Sequence, residues 1–125
     1  MKIGYNIGAT IGEVQLALNK YDISYNYLNS DSSSILSWND IKTNIDNRYP
    51  IYVAARYFKS NGKVYGHAVT LYGYHNLSTK YVCLWNSGLN NGKGGYQVIT
   101  YNSSRTTFTY GGNTFVWAFS LSYYA

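Results

Sequence analysis

The stretch Gly66-His67-Ala68-Val69-Thr70-Leu71-Tyr72-Gly73-Tyr74 decides the fold of this chain. It is apolar, rich in residues that favour β-strands, and carries a histidine near its start. A second stretch of the same character, Tyr81-Val82-Cys83-Leu84-Trp85-Asn86-Ser87-Gly88, follows after a short polar turn. Two strands joined in this way bring residues that are distant in sequence side by side. We therefore expect His67 and Asn86 to be neighbours, with the rest of the chain as their scaffold.

The chain from Pro50 onward is predicted to consist of strands. Val, Tyr and Phe are frequent in this part, and the tight-turn signals Asn61-Gly62 and Gly111-Gly112 interrupt it. A turn is expected at 75–79 and an irregular loop at 89–95. The expected strands are 51–58, 64–74, 81–86, 96–101, 106–110 and 113–121. Consecutive strands with short connections predict a mostly antiparallel sheet, which we expect to curl toward a barrel.

The part before Pro50 is predicted to be mainly helical. Thr10-Ile11-Gly12-Glu13 has the pattern of a capping box, so a helix is expected over 11–19. Ser37 is expected to cap a second helix, which ends before Pro50 because the residue before proline is pushed out of helical geometry. A weakly alternating segment at 22–28 is expected to form a short strand.

These elements predict an α+β fold with two N-terminal helices followed by a curled, mostly antiparallel β-sheet. The helical part covers about 1–48 and the sheet about 49–125. A chain of 125 residues is long enough to bury a substantial core, so we expect a single domain over 1–125.

The composition excludes several classes of function. The formal net charge is +5, but Lys and Arg are scattered, so we expect no binding to nucleic acid. No apolar run reaches the roughly 20 residues of a membrane helix, and the N-terminus lacks the apolar core of a signal peptide. Two histidines and one cysteine offer no metal-ligand spacing, and the glycine-rich segment at 92–95 lacks the pattern of a phosphate-binding loop. We expect neither a metal nor another cofactor.

His67 has two interpretations. A lone histidine on a strand can be a structural residue that simply finds a hydrogen bond. Alternatively it is a general base, because histidine is the side chain that exchanges a proton most readily near neutral pH. Such a base needs a group that holds its other ring nitrogen, and the side-chain oxygen of Asn86 can do so without adding charge.

Cys83, the only cysteine, is the obvious candidate nucleophile, but strand geometry argues against it. Side chains alternate between the two faces of a strand, so Cys83 and Asn86, three residues apart, face opposite ways. If Asn86 points at His67, then Cys83 points away from it. We interpret Cys83 as a small buried hydrophobic residue, unless a bulge at Trp85 reverses the alternation.

The chain carries, in this order, the segments Gly66-His67-Ala68-Val69, Leu84-Trp85-Asn86-Ser87-Gly88 and Gly94-Gly95-Tyr96-Gln97-Val98. In their order and spacing they resemble the C-terminal half of papain-like cysteine peptidases of the bacterial type, and the resemblance covers about 49–101. In that family the first segment supplies a catalytic histidine and the second an orienting asparagine, which implies that His67 is a general base oriented by Asn86.

The sequence departs from the family at two points. The helix that begins with the catalytic cysteine is missing, and the tryptophan that usually follows the Asn-Ser pair is Gly88 here. Trp85 or Trp117 is the candidate for shielding the His67–Asn86 bond instead. The resemblance therefore implies a His/Asn-bearing portion of a peptidase, inactive alone, which a Cys-bearing N-terminal segment or second chain completes to cleave a peptide or protein substrate.

Two alternatives stay open. The chain can be a catalytically inactive papain-like domain that binds peptides or glycans through some of its 16 tyrosines, which requires those rings to lie on the surface. It can also be an unrelated β-rich structural domain, which a separation of His67 and Asn86 beyond hydrogen-bond reach would favour. The sequence leaves the compartment open, and a fragment processed from a bacterial peptidase would be secreted or located at the cell surface.

Overall fold

A computed structural model describes residues 11–20, 25–29 and 35–122. The fold over these ranges is α+β, with three helices and a seven-stranded sheet that is antiparallel in its pairings and is not closed. The elements are α1 (Ile11–Lys20), β1 (Asn26–Asn29), α2 (Trp38–Asp46), β2 (Ile51–Phe58), β3 (Val64–Asn76), β4 (Lys80–Asn86), α3 (Leu89–Gly92), β5 (Gly95–Thr100), β6 (Thr107–Tyr110) and β7 (Asn113–Ser122).

The sheet has the strand order β1-β7-β2-β3-β4-β5, and β6 pairs with β7 outside this path. Strands β2 to β5 are consecutive in both sequence and space, whereas β7 returns to pair with β2. Both β1 and β6 pair with β7, at different places along its length. The two strands that carry His67 and Asn86 are therefore direct neighbours near the middle of the sheet.

Both predicted tight turns are present. Between β2 and β3, Gly62 has a φ of 86°, and the Lys63 N–H donates to the Asn61 side-chain oxygen at 3.0 Å. Between β6 and β7, Gly111 and Gly112 have φ values of 60° and 77°. Positive φ at both central residues twists the turn to match the right-handed twist of the flanking strands. This fixes how β6 folds back on β7.

Helix α2 begins and ends close to the predicted residues. The Ser37 hydroxyl accepts from the Asp40 N–H at 3.1 Å, and Asn47 caps the other end of the helix, after which Arg48 has a φ of 66°. The apolar side of α2 packs on β2 and β3, and Trp38 and Ile41 join the buried cluster of the sheet. The core therefore lies between α2 and one face of the sheet.

Three parts of the chain differ from the sequence-based expectations or lie outside the described residues. A short helical segment, α3, occupies part of the expected loop, with Asn90 and Asn91 at φ values of 54° and 57°. His75 belongs to β3 and not to the expected turn, because the strand continues to Asn76, and its side chain is exposed. The Thr10 half of the predicted capping box and residues 22–24 of the expected short strand lie outside the described residues. None of the described helices has the length and apolar character needed to cross a membrane.

Candidate active site

His67 and Asn86 lie on the same face of the sheet. Strands β3 and β4 pair with Leu71 opposite Leu84, and both leucines are buried. His67 is four residues before Leu71 and Asn86 is two residues after Leu84, so alternation puts their side chains on the face of these leucines. The distance between His67 Nε2 and Asn86 Oδ1 is 2.7 Å. This contact is the one predicted from the sequence, and it removes the observation that would have favoured an unrelated structural domain.

Asn86 is fully buried, with 0% of its surface exposed, and both ends of its amide are bonded. Its Oδ1 faces His67 Nε2 and also accepts from the Gly88 N–H at 3.0 Å. Its Nδ2 donates to Gln97 Oε1 at 3.0 Å, and Gln97 Nε2 donates to the Thr109 carbonyl at 2.8 Å. A buried amide with each end satisfied holds one orientation.

The partners of this chain of bonds fix the direction of every bond in it. A backbone carbonyl can only accept, so the Gln97 amide nitrogen must face Thr109 and its oxygen must face Asn86. The Asn86 nitrogen then faces Gln97, and its oxygen faces the Gly88 N–H and His67. Because that oxygen accepts, His67 Nε2 carries the proton. In the neutral ring, His67 Nδ1 is therefore left with a free electron pair.

The His67 ring is half-buried at the edge of an open cleft of about 710 Å³. It stacks on Tyr110, with ring centroids 4.3 Å apart and an angle of 18° between the rings. Phe108 and Phe115 lie farther away, at 6.4 and 5.8 Å. Among the described residues, those that line the cleft include no Asp, Glu, Lys or Arg. The lining residues are His67, Ser87, Gly88, Asn91, Gly92 and Tyr110.

The geometry can be compared with known proteins. The family model of the Peptidase_C39 like family matches residues 4–115, which is most of the chain. The chain belongs to this family. Membership supports a relationship to papain-like cysteine peptidases, and the match extends well beyond the segment 49–101 in which the sequence motifs lie. A search of curated proteins found no match.

The only cysteine of this C39-like chain lies on the face opposite Asn86. Strand β4 pairs with β5 without a register break from Tyr81 to Asn86, so there is no bulge at Trp85 to reverse the alternation. Cys83 is 7% exposed and lies against Gly73 on β3. Burial raises the pKa of the Cys83 thiol above its usual value, which keeps the sulfur protonated and unreactive.

The two tryptophans named as candidate shields differ from Tyr110 in their placement. Trp85 immediately precedes Asn86 and so lies on the opposite face, where its ring packs on Tyr96 at 4.9 Å and covers Gly94. Trp117 is buried on β7, and its ring N–H donates to the Ser120 hydroxyl at 2.6 Å. The ring that stacks on His67 is Tyr110, which the sequence analysis did not single out.

Across 11–20, 25–29 and 35–122, no three side chains among His, Cys, Asp and Glu come together in a way that could hold a metal ion.

Gln97 is the other residue that the sequence analysis missed. It lies in the third motif, Gly94-Gly95-Tyr96-Gln97-Val98, but only the pairing of β5 with β4 places its amide against that of Asn86.

Proposed function

We propose that this chain supplies the general base and its orienting amide to a papain-like cysteine peptidase. The nucleophilic cysteine would come from a segment outside these 125 residues or from a second chain. The observation that supports this proposal most is the bond between His67 Nε2 and Asn86 Oδ1, because it leaves Nδ1 as the free base. The position of His67 on the wall of an open cleft also supports it.

The proposed chemistry assigns each group one task. His67 Nδ1 takes the proton of a cysteine thiol, and the thiolate attacks the carbonyl carbon of a peptide bond. The imidazolium then gives this proton to the leaving amine as the carbon–nitrogen bond breaks. Water, deprotonated by the same nitrogen, cleaves the resulting thioester and releases the acid and the thiol. Asn86 Oδ1 stays on Nε2–H throughout and holds the ring in the productive tautomer.

Cys83 cannot serve as this nucleophile without rearrangement of the sheet. It is buried on the opposite face, and its raised pKa keeps it protonated. We therefore infer that the chain by itself is inactive and that a peptide or protein substrate is cleaved only when a Cys-bearing segment closes on the cleft at His67.

The test uses a peptide that carries a thiol-reactive vinyl sulfone. The probe is added to three samples. They are this chain alone, the product of the complete gene, and the complex of this chain with any protein that copurifies with it. We expect labelling of a cysteine other than Cys83, and loss of that labelling in His67→Ala. His75→Ala is the matched control, because His75 is exposed and does not line the cleft. Absence of labelling in a formed complex, or equal labelling of both histidine variants, would exclude the proposal.

A second candidate function is binding of a peptide or glycan on the opposite face, as in an inactive relative. Tyr72 and Tyr96 are 42% and 70% exposed there, their rings are in edge contact at 5.5 Å, and Trp85 adjoins them. Aromatic faces of this kind offer contact area at low entropic cost. Titration of tryptophan fluorescence with short peptides and oligosaccharides tests it. Binding that Tyr96→Ala removes and His67→Ala leaves intact would favour this function.

A further inference from the structure

We propose that Tyr110 is a positioning residue that covers the His67–Asn86 hydrogen bond, and that residue 88 is glycine because the Tyr110 ring fills the space of a side chain there. The catalytic meaning of this inference rests on the proposed function. Its test, however, is made on the chain alone and needs no cysteine nucleophile.

The stacking of the two rings is the first observation. Tyr110 lies nearly parallel to the imidazole, at 4.3 Å between centroids and 18° between planes. Phe108 and Phe115, the other rings near His67 in the described part of the chain, are tilted and farther away. A stacked ring restricts rotation of the imidazole about its side-chain bonds. It therefore helps to keep Nε2 on Asn86.

Gly88 supplies the second, independent observation. Its φ and ψ are −81° and −16°, a conformation that any amino acid can adopt. The backbone therefore does not require glycine. A Cβ at this position would overlap the hydroxyl and ring of Tyr110. The Tyr110 ring thus occupies the space that a side chain at residue 88 would take, and the Gly88 N–H donates to Asn86 Oδ1.

Strand β6 carries both the residue that helps to hold Asn86 and the residue that stacks on His67. Thr109 accepts the bond from Gln97, which holds Asn86, and the next residue, Tyr110, stacks on His67. Behind them, Phe108 stacks on Phe115 of β7 at 5.7 Å and 12°. One short strand thus orients the asparagine through a hydrogen bond and the histidine through a ring contact.

The physical effect of the cover is to keep water away from Nε2–H and Oδ1. Water competes for both groups, so an exposed bond of this kind contributes little, while the same bond is stronger in a less polar environment. The aromatic cover is the Tyr110 ring of β6, and Gly88 leaves the space for it. In the papain-like pattern described above, a tryptophan that directly follows the Asn-Ser pair occupies this sequence position instead.

The test measures the ring N–H proton of His67 by NMR, because this signal is visible only when exchange with water is slow. We expect the signal in the wild-type chain and in Tyr110→Phe, which keeps the ring, and its loss in Tyr110→Leu. Tyr96→Leu is the matched control on the opposite face and should keep the signal. Retention of the signal in a folded Tyr110→Leu chain would overturn the proposal.

Residue 88 provides a second variant that does not depend on folding of Tyr110→Leu. Gly88→Ala should displace the Tyr110 ring and remove the His67 N–H signal, whereas Ser87→Ala, at the exposed neighbouring residue, should leave it unchanged. A Gly88→Ala chain with the wild-type signal would also overturn the proposal. Neither result depends on probe labelling, so the proposed function and the role of Tyr110 can fail separately.

Discussion

The two faces of strand β4 carry opposite kinds of chemistry. Asn86 points to the face where His67 and Gln97 form a buried polar network, whereas Trp85, one residue earlier, points to a face of packed rings. Cys83 shares the second face and is shielded by Gly73. Alternation along one strand therefore separates the base from the only thiol of the chain. The face of the sheet on which a residue lies therefore defines the site as much as the residue type does.

The largest expected difference between the faces is in folding stability. Asn86→Ala should lower the free energy of unfolding by about 3 kcal/mol, because it leaves the Gly88 N–H and the Gln97 oxygen without partners inside the protein. Urea denaturation measures this value. Trp85→Phe, the neighbouring change on the other face, keeps an aromatic ring and should cost about 1 kcal/mol. Equal losses would mean that the polar network does not distinguish the faces.

A smaller loss is expected one strand away, in Gln97→Leu. The change removes the donor to Thr109 and the acceptor for Asn86, and it should cost about 2 kcal/mol in unfolding free energy. It should also broaden the NMR signals of the Asn86 side-chain amide, since nothing then fixes Nδ2. Val98→Leu, at the exposed adjacent residue on the other face, should change stability by less than about 0.5 kcal/mol. If Gln97→Leu changed neither the unfolding free energy nor the Asn86 amide signals, the chain of hydrogen bonds from Asn86 through Gln97 to Thr109 would be contradicted.

At alkaline pH the folding stability should fall because of Tyr101, a buried tyrosine on the same face of the sheet as Asn86. Burial, and then the charge of Asp40, raise the pKa of Tyr101 above its ordinary value of 10.0, and its hydroxyl donates to the Leu36 carbonyl at 2.7 Å. The unfolded chain ionises first, so this contribution to stability is fully present below pH 10.0 and is lost as the pH rises through the raised pKa.

Denaturation of wild type and Tyr101→Phe over this pH range checks the sign. The variant should be about 1 kcal/mol less stable at neutral pH, because the bond to Leu36 is lost, but less sensitive above pH 10. An identical alkaline decline in both chains would assign it to other tyrosines, such as Tyr52 or Tyr72, whose pKa values are also raised by burial.

A small effect is also expected at Cys83. Its pKa is raised above 9.0 by burial, so a thiol reagent should label the native chain slowly near neutral pH and the urea-unfolded chain rapidly. Cys83→Ala should change stability by about 1 kcal/mol and leave the His67 ring signals in place. Rapid labelling of Cys83 in the native chain, with a change in the His67 ring signals, would show that the two faces of the sheet are coupled.

Much of the fold and the central pair could be predicted because they depend on local rules. The short polar turn between β3 and β4 and the alternation along these two strands suffice to bring His67 and Asn86 together, and the turn signals at Asn61-Gly62 and Gly111-Gly112 place the strands on either side. The same alternation argument that turned Cys83 away also applies to Trp85, one residue from Asn86, and could have placed it on the other face.

Other parts of the site depend on long-range pairing. Tyr110 reaches His67 only because β7 returns to β2 and carries β6 with it, and the sequence does not specify that order of strands. Gln97 reaches Asn86 only through the register of β5 on β4. Segment α3 was missed because Asn90 and Asn91 adopt positive φ, which asparagine tolerates but does not require.

The most direct test of the account is the tautomer of His67, measured from the nitrogen chemical shifts of its ring in the neutral form. We expect a single tautomer of His67 with the proton on Nε2 and a free electron pair on Nδ1, while the exposed His75 in the same spectrum averages between both forms. A proton on Nδ1 of His67, or averaging like that of His75, would contradict the claim that Asn86 holds this ring as a base.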